Sequence, residues 1–232
     1  PVLADGLIVS PTGTGSIVAV DRESRLLVWA YTPSDTYETK ARDPQGNMAE
    51  VRRRGDGTTD WSDANITLAG DKLLVHPRGS ESVHCLESAT GHLVWKQPCE
   101  SLWFVAGISD GVAVLAAPGS VSGFDVKSGQ PAWTEAATVH HPAGRGVVAE
   151  GILYLPMTTR EVAAVRISTG KILAKWKAAD SPGLGNLVRA GDLLISQNLR
   201  SVHVIPLVPP RDSDVAGAEL PIDGHRFEPL RQ

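Results

Sequence analysis

The chain has 232 residues, of which 42% are hydrophobic and 21% charged, a balance that supports a folded core and lies outside the disordered range. A net charge of -4 and a pI near 6.0 provide no electrostatic basis for nucleic acid or an anionic membrane surface as the main partner. No apolar run reaches the roughly 20 residues that a membrane-spanning helix needs.

The first element is "DGLIVSP" at 5–11, an apolar strand behind a glycine turn, followed by "VDRESRLLVW" ending at Trp29. Residues 32–61 are polar, mixed in charge and poor in aliphatics, so they read as an insertion. The strand signal resumes with "GDKLLVHP" at 70–77 and "LESATGHLVW" ending at Trp95. It recurs as "DGVAVLAAP" with "FDVKSGQPAW" to Trp133, then as "EGILYLP" with "VRISTGKILAKW" to Trp176, two residues longer. A fifth head, "GDLLISQ" at 191–197, has no tryptophan after it. From Pro206 the proline-punctuated tail to residue 232 reads as a linker or irregular closing segment.

The glycine or its equivalent at the head of each unit falls at 6, 72, 111, 151 and 192, so the last four heads recur at about 40 residues. Each unit supplies short strands separated by turn residues. The uninterrupted apolar runs predict sheets covered on both faces. Four short strands per unit, stacked face to face, make the blade of a β-propeller. The fold expected is therefore all-β, with four blades and part of a fifth over 1–205. "KILAKWKAA" at 171–179 has helical composition, yet its register with the other copies predicts a strand. Gly91 and Gly129 are expected to provide positive φ in tight turns, and Trp29, Trp95, Trp133 and Trp176 to fill the gaps between blades.

Chemistry is sparse. "GISDG" at 107–111 matches the nucleophile-elbow spacing, but Ser109 and Asp110 fall at a repeat turn with no helix to follow. "PTGTGS" at 11–16 lacks the lysine of a phosphate loop. His140 and His141 are adjacent, so on a strand they would point to opposite faces. Asp56, Asp60 and Asp63 miss the alternating spacing of a calcium loop. A hairpin turn at Ser88–Gly91 would place Cys85 opposite Val94 and Cys99 about 16 Å away, too far for a disulfide.

The repeats "VAVDRESRLLVW", "VHCLESATGHLVW", "VSGFDVKSGQPAW" and "VAAVRISTGKILAKW" resemble the PQQ-like (BamB-like) β-propeller repeat family. Arg25 stands where the turn glycine of that repeat belongs, and Arg166 where its acid does. The family includes quinoprotein dehydrogenases and non-enzymatic outer-membrane assembly lipoproteins. The resemblance implies a seven- or eight-bladed ring of which this chain would be an excised arc, prone to self-association, in a periplasmic or envelope protein. A rival closure makes five blades, with the N-terminal "PVLA" completing the last sheet.

The function expected is a non-catalytic scaffold binding other proteins or other domains of its own polypeptide, without cofactor or metal. Within the insertion, Arg52, Arg53 and Arg54 could take carboxylates and Trp61 could serve as an aromatic anchor. A quinoprotein dehydrogenase, with pyrroloquinoline quinone and calcium, is the enzymatic alternative. It is disfavoured because the vicinal cysteine pair common in that class is missing here. Carbohydrate binding is a third reading, with only Trp61 and Trp103 as spare tryptophans.

Overall fold

The computed structural model describes residues 1–12, 15–34, 40–42, 48–50, 66–77, 80, 82–99, 102, 104–178 and 183–207, with 40–42 and 48–50 described by backbone alone. Every regular element among them is a β-strand. The first sheet runs β1 (Val2–Ala4), β2 (Leu7–Pro11), β3 (Ile17–Asp21), β4 (Leu27–Tyr31). Within the insertion β5 (Lys40–Arg42) pairs β6 (Met48–Glu50) as an isolated ribbon. The second sheet is β7 (Ile66–Ala69), β8 (Lys72–Val75), β9 (Ser82–Glu87), β10 (Leu93–Pro98). The third is β11 (Phe104–Ser109), β12 (Val112–Ala117), β13 (Ser120–Asp125), β14 (Ala137–Thr138). The fourth is β15 (Val147–Ala149), β16 (Ile152–Pro156), β17 (Glu161–Arg166), β18 (Ile172–Lys177). The fifth has three strands, β19 (Asn186–Ala190), β20 (Leu193–Gln197) and β21 (Val202–Pro206). Contacts divide the chain into two compact units, Pro1–Val105 with Val126–Gly129, and Ala106–Asp125 with Gln130–Gln232.

Sequential antiparallel order follows from two-residue turns at the head of each unit. Asp5-Gly6, Asp110-Gly111 and Glu150-Gly151 have positive φ at both positions, the geometry of a type I′ hairpin. In the Gly70-Asp71 and Gly191-Asp192 turns only the glycine does, which fits type II′. Both types match the right-handed twist of the strands they join. Position 72, expected as a unit head, is instead Lys72, the first residue of β8, one place beyond the turn.

The last strand of the regular blades carries one extra residue. Leu27 pairs with Val20 and Trp29 with Ala19, leaving Val28 as a bulge. Val94 and Leu173 are bypassed in the same way. Cys85 therefore lies opposite Trp95 and not Val94 as counted from the turn. Residues 172–177 form a strand, so register with the other copies outweighs helix propensity. In the third blade the strand expected to reach Trp133 is interrupted. Pro131, which has no N–H for the ladder, makes an isolated bridge to Phe124, and the chain bends through Trp133 before pairing again at Ala137–Thr138. The N-terminal "PVLA" contributes β1 to the first sheet, pairing β2, and so does not complete the fifth.

Burial separates inner blades from outer ones. β8, β9, β12, β16 and β17 are buried along most of their length on both faces. In β2 and β20 buried residues alternate with exposed or half-buried ones, and β21 buries Ile205 alone. One core cluster joins the first two sheets through Val9, Ile17, Ala19, Trp29, Leu73, Val75 and Leu86. Another joins the fourth and fifth through Tyr154, Val162, Trp176, Leu187, Leu194 and Ile205.

Candidate functional site: seams and open faces of the blades

The tryptophans form a repeated seam. Trp29 donates from Nε1 to the Ser88 carbonyl, 3.1 Å away, at the first turn residue of the next blade. Trp95 donates to Val126 at 2.8 Å and Trp133 to Ile167 at 2.7 Å, at the same place in the blade that follows each. The indoles also lie on the glycines of those turns. A Cβ on Gly91 would sit 2.5 Å from Trp29, on Gly129 2.6 Å from Trp95, and on Gly170 2.6 Å from Trp133. The turn glycine thus has two reasons to be glycine: positive φ in its own blade, and a ring from the blade before.

Arg25 occupies this turn position in the first blade with φ 61°, closing the turn through its N–H to Asp21 O as Gly91 does to Glu87 O. Asp21 reinforces that turn by accepting from the Ser24 N–H and hydroxyl, both 2.7 Å away, and these bonds hold its carboxyl below the usual range. Arg166, in the acid's place, costs the fourth turn nothing visible, because the Gly170 N–H still donates to its carbonyl.

Trp176 departs from the seam. Its longer interval places it opposite Val162, while Ala174 opposite Ala164 takes the register that Trp29 holds against Ala19. It meets Tyr154 edge-on at 6.1 Å, and its Nε1 is buried with no hydrogen-bond partner among the described residues.

A buried polar cluster in the second blade was missed from sequence. His84, 1% exposed, has Nδ1 2.7 Å from the Tyr31 hydroxyl and Nε2 3.2 Å from Ser80 Oγ. Ser80 Oγ accepts from the Ser82 N–H, and its carbonyl lies 3.0 Å from His76 Nε2. With His76 donating to that carbonyl, its Nδ1 is the unprotonated nitrogen, buried and without a partner among the described residues. Burial pushes the His76 pKa down. The serine and histidine are both buried, and the bonds tie Ser80 to His76 and to His84 of β9. The cluster's only sequence signal was a histidine within the apolar run "VHCL".

The remaining motifs stay apart. Ser109 ends β11 and donates to Asp110 Oδ2, in a hairpin turn with no helix after it. "PTGTGS" links β2 to β3, closed by Thr12 N–H to Ser16 O, with residues 13 and 14 outside those described. His140 and His141 are exposed and lie between strands. Cys85 and Cys99 are free thiols, and burial raises both, Cys85 to about 11. No group of three or more metal-ligating side chains occurs among the described residues. Arg52, Arg53, Arg54, Trp61, Trp103, Asp56, Asp60 and Asp63 lie outside the described residues.

Four-stranded antiparallel blades joined by a tryptophan seam define a β-propeller repeat protein. The family described as "Outer membrane protein assembly factor BamB" matches residues 13–196, and the chain belongs to it. The outer membrane protein assembly factor BamB of Pseudomonas aeruginosa is 28% identical over 137 residues, 59% of this chain and 32% of that protein. The chain thus spans about a third of that relative's length. The crystal structure of BamB from Moraxella catarrhalis aligns with TM-score 0.59 at 15% identity, over 87% of this chain and 55% of that one. The computationally designed Ika4 protein aligns with TM-score 0.51 at 14% identity, over 62% of this chain and 91% of its own. At these identities the two structures establish the fold alone.

Proposed function

We propose that this chain is a non-catalytic propeller scaffold that holds other proteins during outer membrane protein assembly, in the cell envelope. The family match over residues 13–196 carries this reading. The chemistry of the blades supports it. The one buried serine–histidine contact among the described residues, Ser80 with His84, is held in a hydrogen-bonded network inside the fold, and both thiols are raised by burial. Stacked blades offer connections and faces that can bind other proteins, and such binding needs neither pyrroloquinoline quinone nor calcium.

Two measurements separate the halves of this proposal. Dye-linked oxidation of alcohols and sugars, assayed after incubation with quinone and calcium, is expected to stay at background; turnover would overturn the non-catalytic half. Interferometry against a purified outer membrane assembly complex is expected to show saturable binding. No binding to a complex that is otherwise active would overturn the choice of partner.

A further inference from the structure

The turn between β20 and β21 displays a side chain that the fold does not use. Asn198, Leu199, Arg200 and Ser201 join the two strands, and Leu199 is 105% exposed, as open to water as in an extended chain. Turn positions are ordinarily filled by glycine, proline, asparagine, aspartate or serine, each for a backbone reason that leucine lacks. Leucine buries nothing here either, so folding does not account for it. The exposure belongs to the place in the turn and not to what stacks on the sheet. In the fourth sheet, where β16 and β17 are buried along most of their length, the equivalent turn residues Thr158 and Thr159 are exposed as well. A tip residue at this end of a blade stays open even where the blade itself is covered.

The turn is also held firmly. The Asn198 N–H donates to the Ser201 carbonyl at 3.0 Å. Asn198 Oδ1 accepts from the Arg200 N–H at 2.8 Å, the Ser201 N–H at 2.9 Å and the Ser201 hydroxyl at 3.1 Å. Its Nδ2 donates to the Gly183 carbonyl at 2.7 Å, which ties the turn to the chain ahead of β19. One side chain thus fixes the backbone that presents Leu199 and Arg200, and a contact displayed in this way loses little conformational freedom on binding.

The charge beside the leucine has one sign. Arg200 is exposed, and its guanidinium has no hydrogen bond or ion pair among the described residues. No acidic residue occurs between Leu193 and Leu207. Arg160, in the equivalent turn of the fourth sheet, is likewise exposed, and the neighbouring Glu161 carboxylate accepts from the Thr159 hydroxyl at 2.7 Å.

The geometry points to the Leu199-Arg200 tip as a docking knob for a partner protein whose surface offers an apolar pocket rimmed by carboxylates. The leucine fills the pocket and the guanidinium meets the rim. The knob rests on the scaffold reading and names the anchor of that scaffold.

Interferometry of the full chain against a purified outer membrane assembly complex tests it. Leu199→Asp is expected to weaken binding about tenfold or more, and Leu199→Met to stay close to wild type. Arg200→Glu is expected to weaken binding about tenfold and to flatten its salt dependence, while Arg200→Lys retains both. Neither side chain supports a neighbour, so all four variants should keep the wild-type urea midpoint and near-ultraviolet circular dichroism. Wild-type binding that survives Leu199→Asp and Arg200→Glu overturns the knob and leaves the scaffold reading standing. Loss with only one of the two overturns it as well, since pocket and rim are one claim. A wild-type chain that does not bind an otherwise active complex overturns the choice of partner, and the knob with it.

Discussion

Gly91→Ala tests the seam at a single atom. At φ 70° an L-residue loses about 1–2 kcal/mol, because its Cβ crowds the following carbonyl. The new Cβ would also lie 2.5 Å from Cε3 and 2.6 Å from Cδ2 of Trp29. Trp29 cannot step aside cheaply, being paired with Ala19 and hydrogen-bonded to Ser88. Overpacking of this kind adds about 1–3 kcal/mol, for a total of about 2–5 kcal/mol. Gly6→Ala isolates the backbone part, since Gly6 has φ 82° and nothing lies within 4 Å of its Cβ. It is expected to cost only about 1–2 kcal/mol. Urea unfolding followed by tryptophan fluorescence measures both, in the wild type and in a Trp29→Leu background, where the excess cost of Gly91→Ala should shrink by about 0.5–3 kcal/mol. Equal costs at Gly6 and Gly91, or an excess unchanged by Trp29→Leu, would refute the steric account of the seam.

Other expectations follow from single groups. Trp133→Phe should cost about 1–3 kcal/mol, since it leaves the Ile167 carbonyl without its donor. Trp176→Phe should cost less, because it removes an Nε1–H that has no partner among the described residues; urea unfolding of the pair gives the order, and a reversed order refutes it. Cys85, with its thiol raised to about 11, should resist iodoacetamide at pH 8 in the folded chain and react on unfolding; rapid native-state labelling would contradict the burial. The lowered pKa of His76 means that the unfolded chain binds the proton more readily, so this contribution is intact above about pH 6.5 and lost as pH falls towards the folded value. Protonation would add an N–H at Nδ1 where no described acceptor lies. Unfolding free energy should therefore fall between pH 7.5 and 5.5, and His76→Gln should flatten that fall; an unchanged slope would argue against His76 as its source.

The information needed for the fold is largely local, which is why it was legible in the residues. The "DG", "EG" and "GD" heads impose hairpin turns, because φ above zero is cheap only for glycine and tolerable for a few short polar side chains. The apolar runs between them are too short for anything but strands. Tryptophan at a constant interval from an acid marked the seam, and the residue types alone showed that Arg25 and the fifth unit break the repeat. What only the tertiary structure decided depends on cross-strand register and on what covers each face, neither of which is local. The bulge at Val94 moved Cys85 from one partner to the next. The two extra residues before Trp176 carried its indole past the position where its counterparts find a carbonyl. Apolar runs in the first and fifth units looked like those of the inner blades, yet Ile8 and Val204 are exposed, because a strand's composition does not reveal whether a neighbour covers it. The Tyr31, His84 and Ser80 cluster needs residues up to 53 positions apart in one hydrogen-bonded chain, a meeting set by blade stacking and by no local pattern.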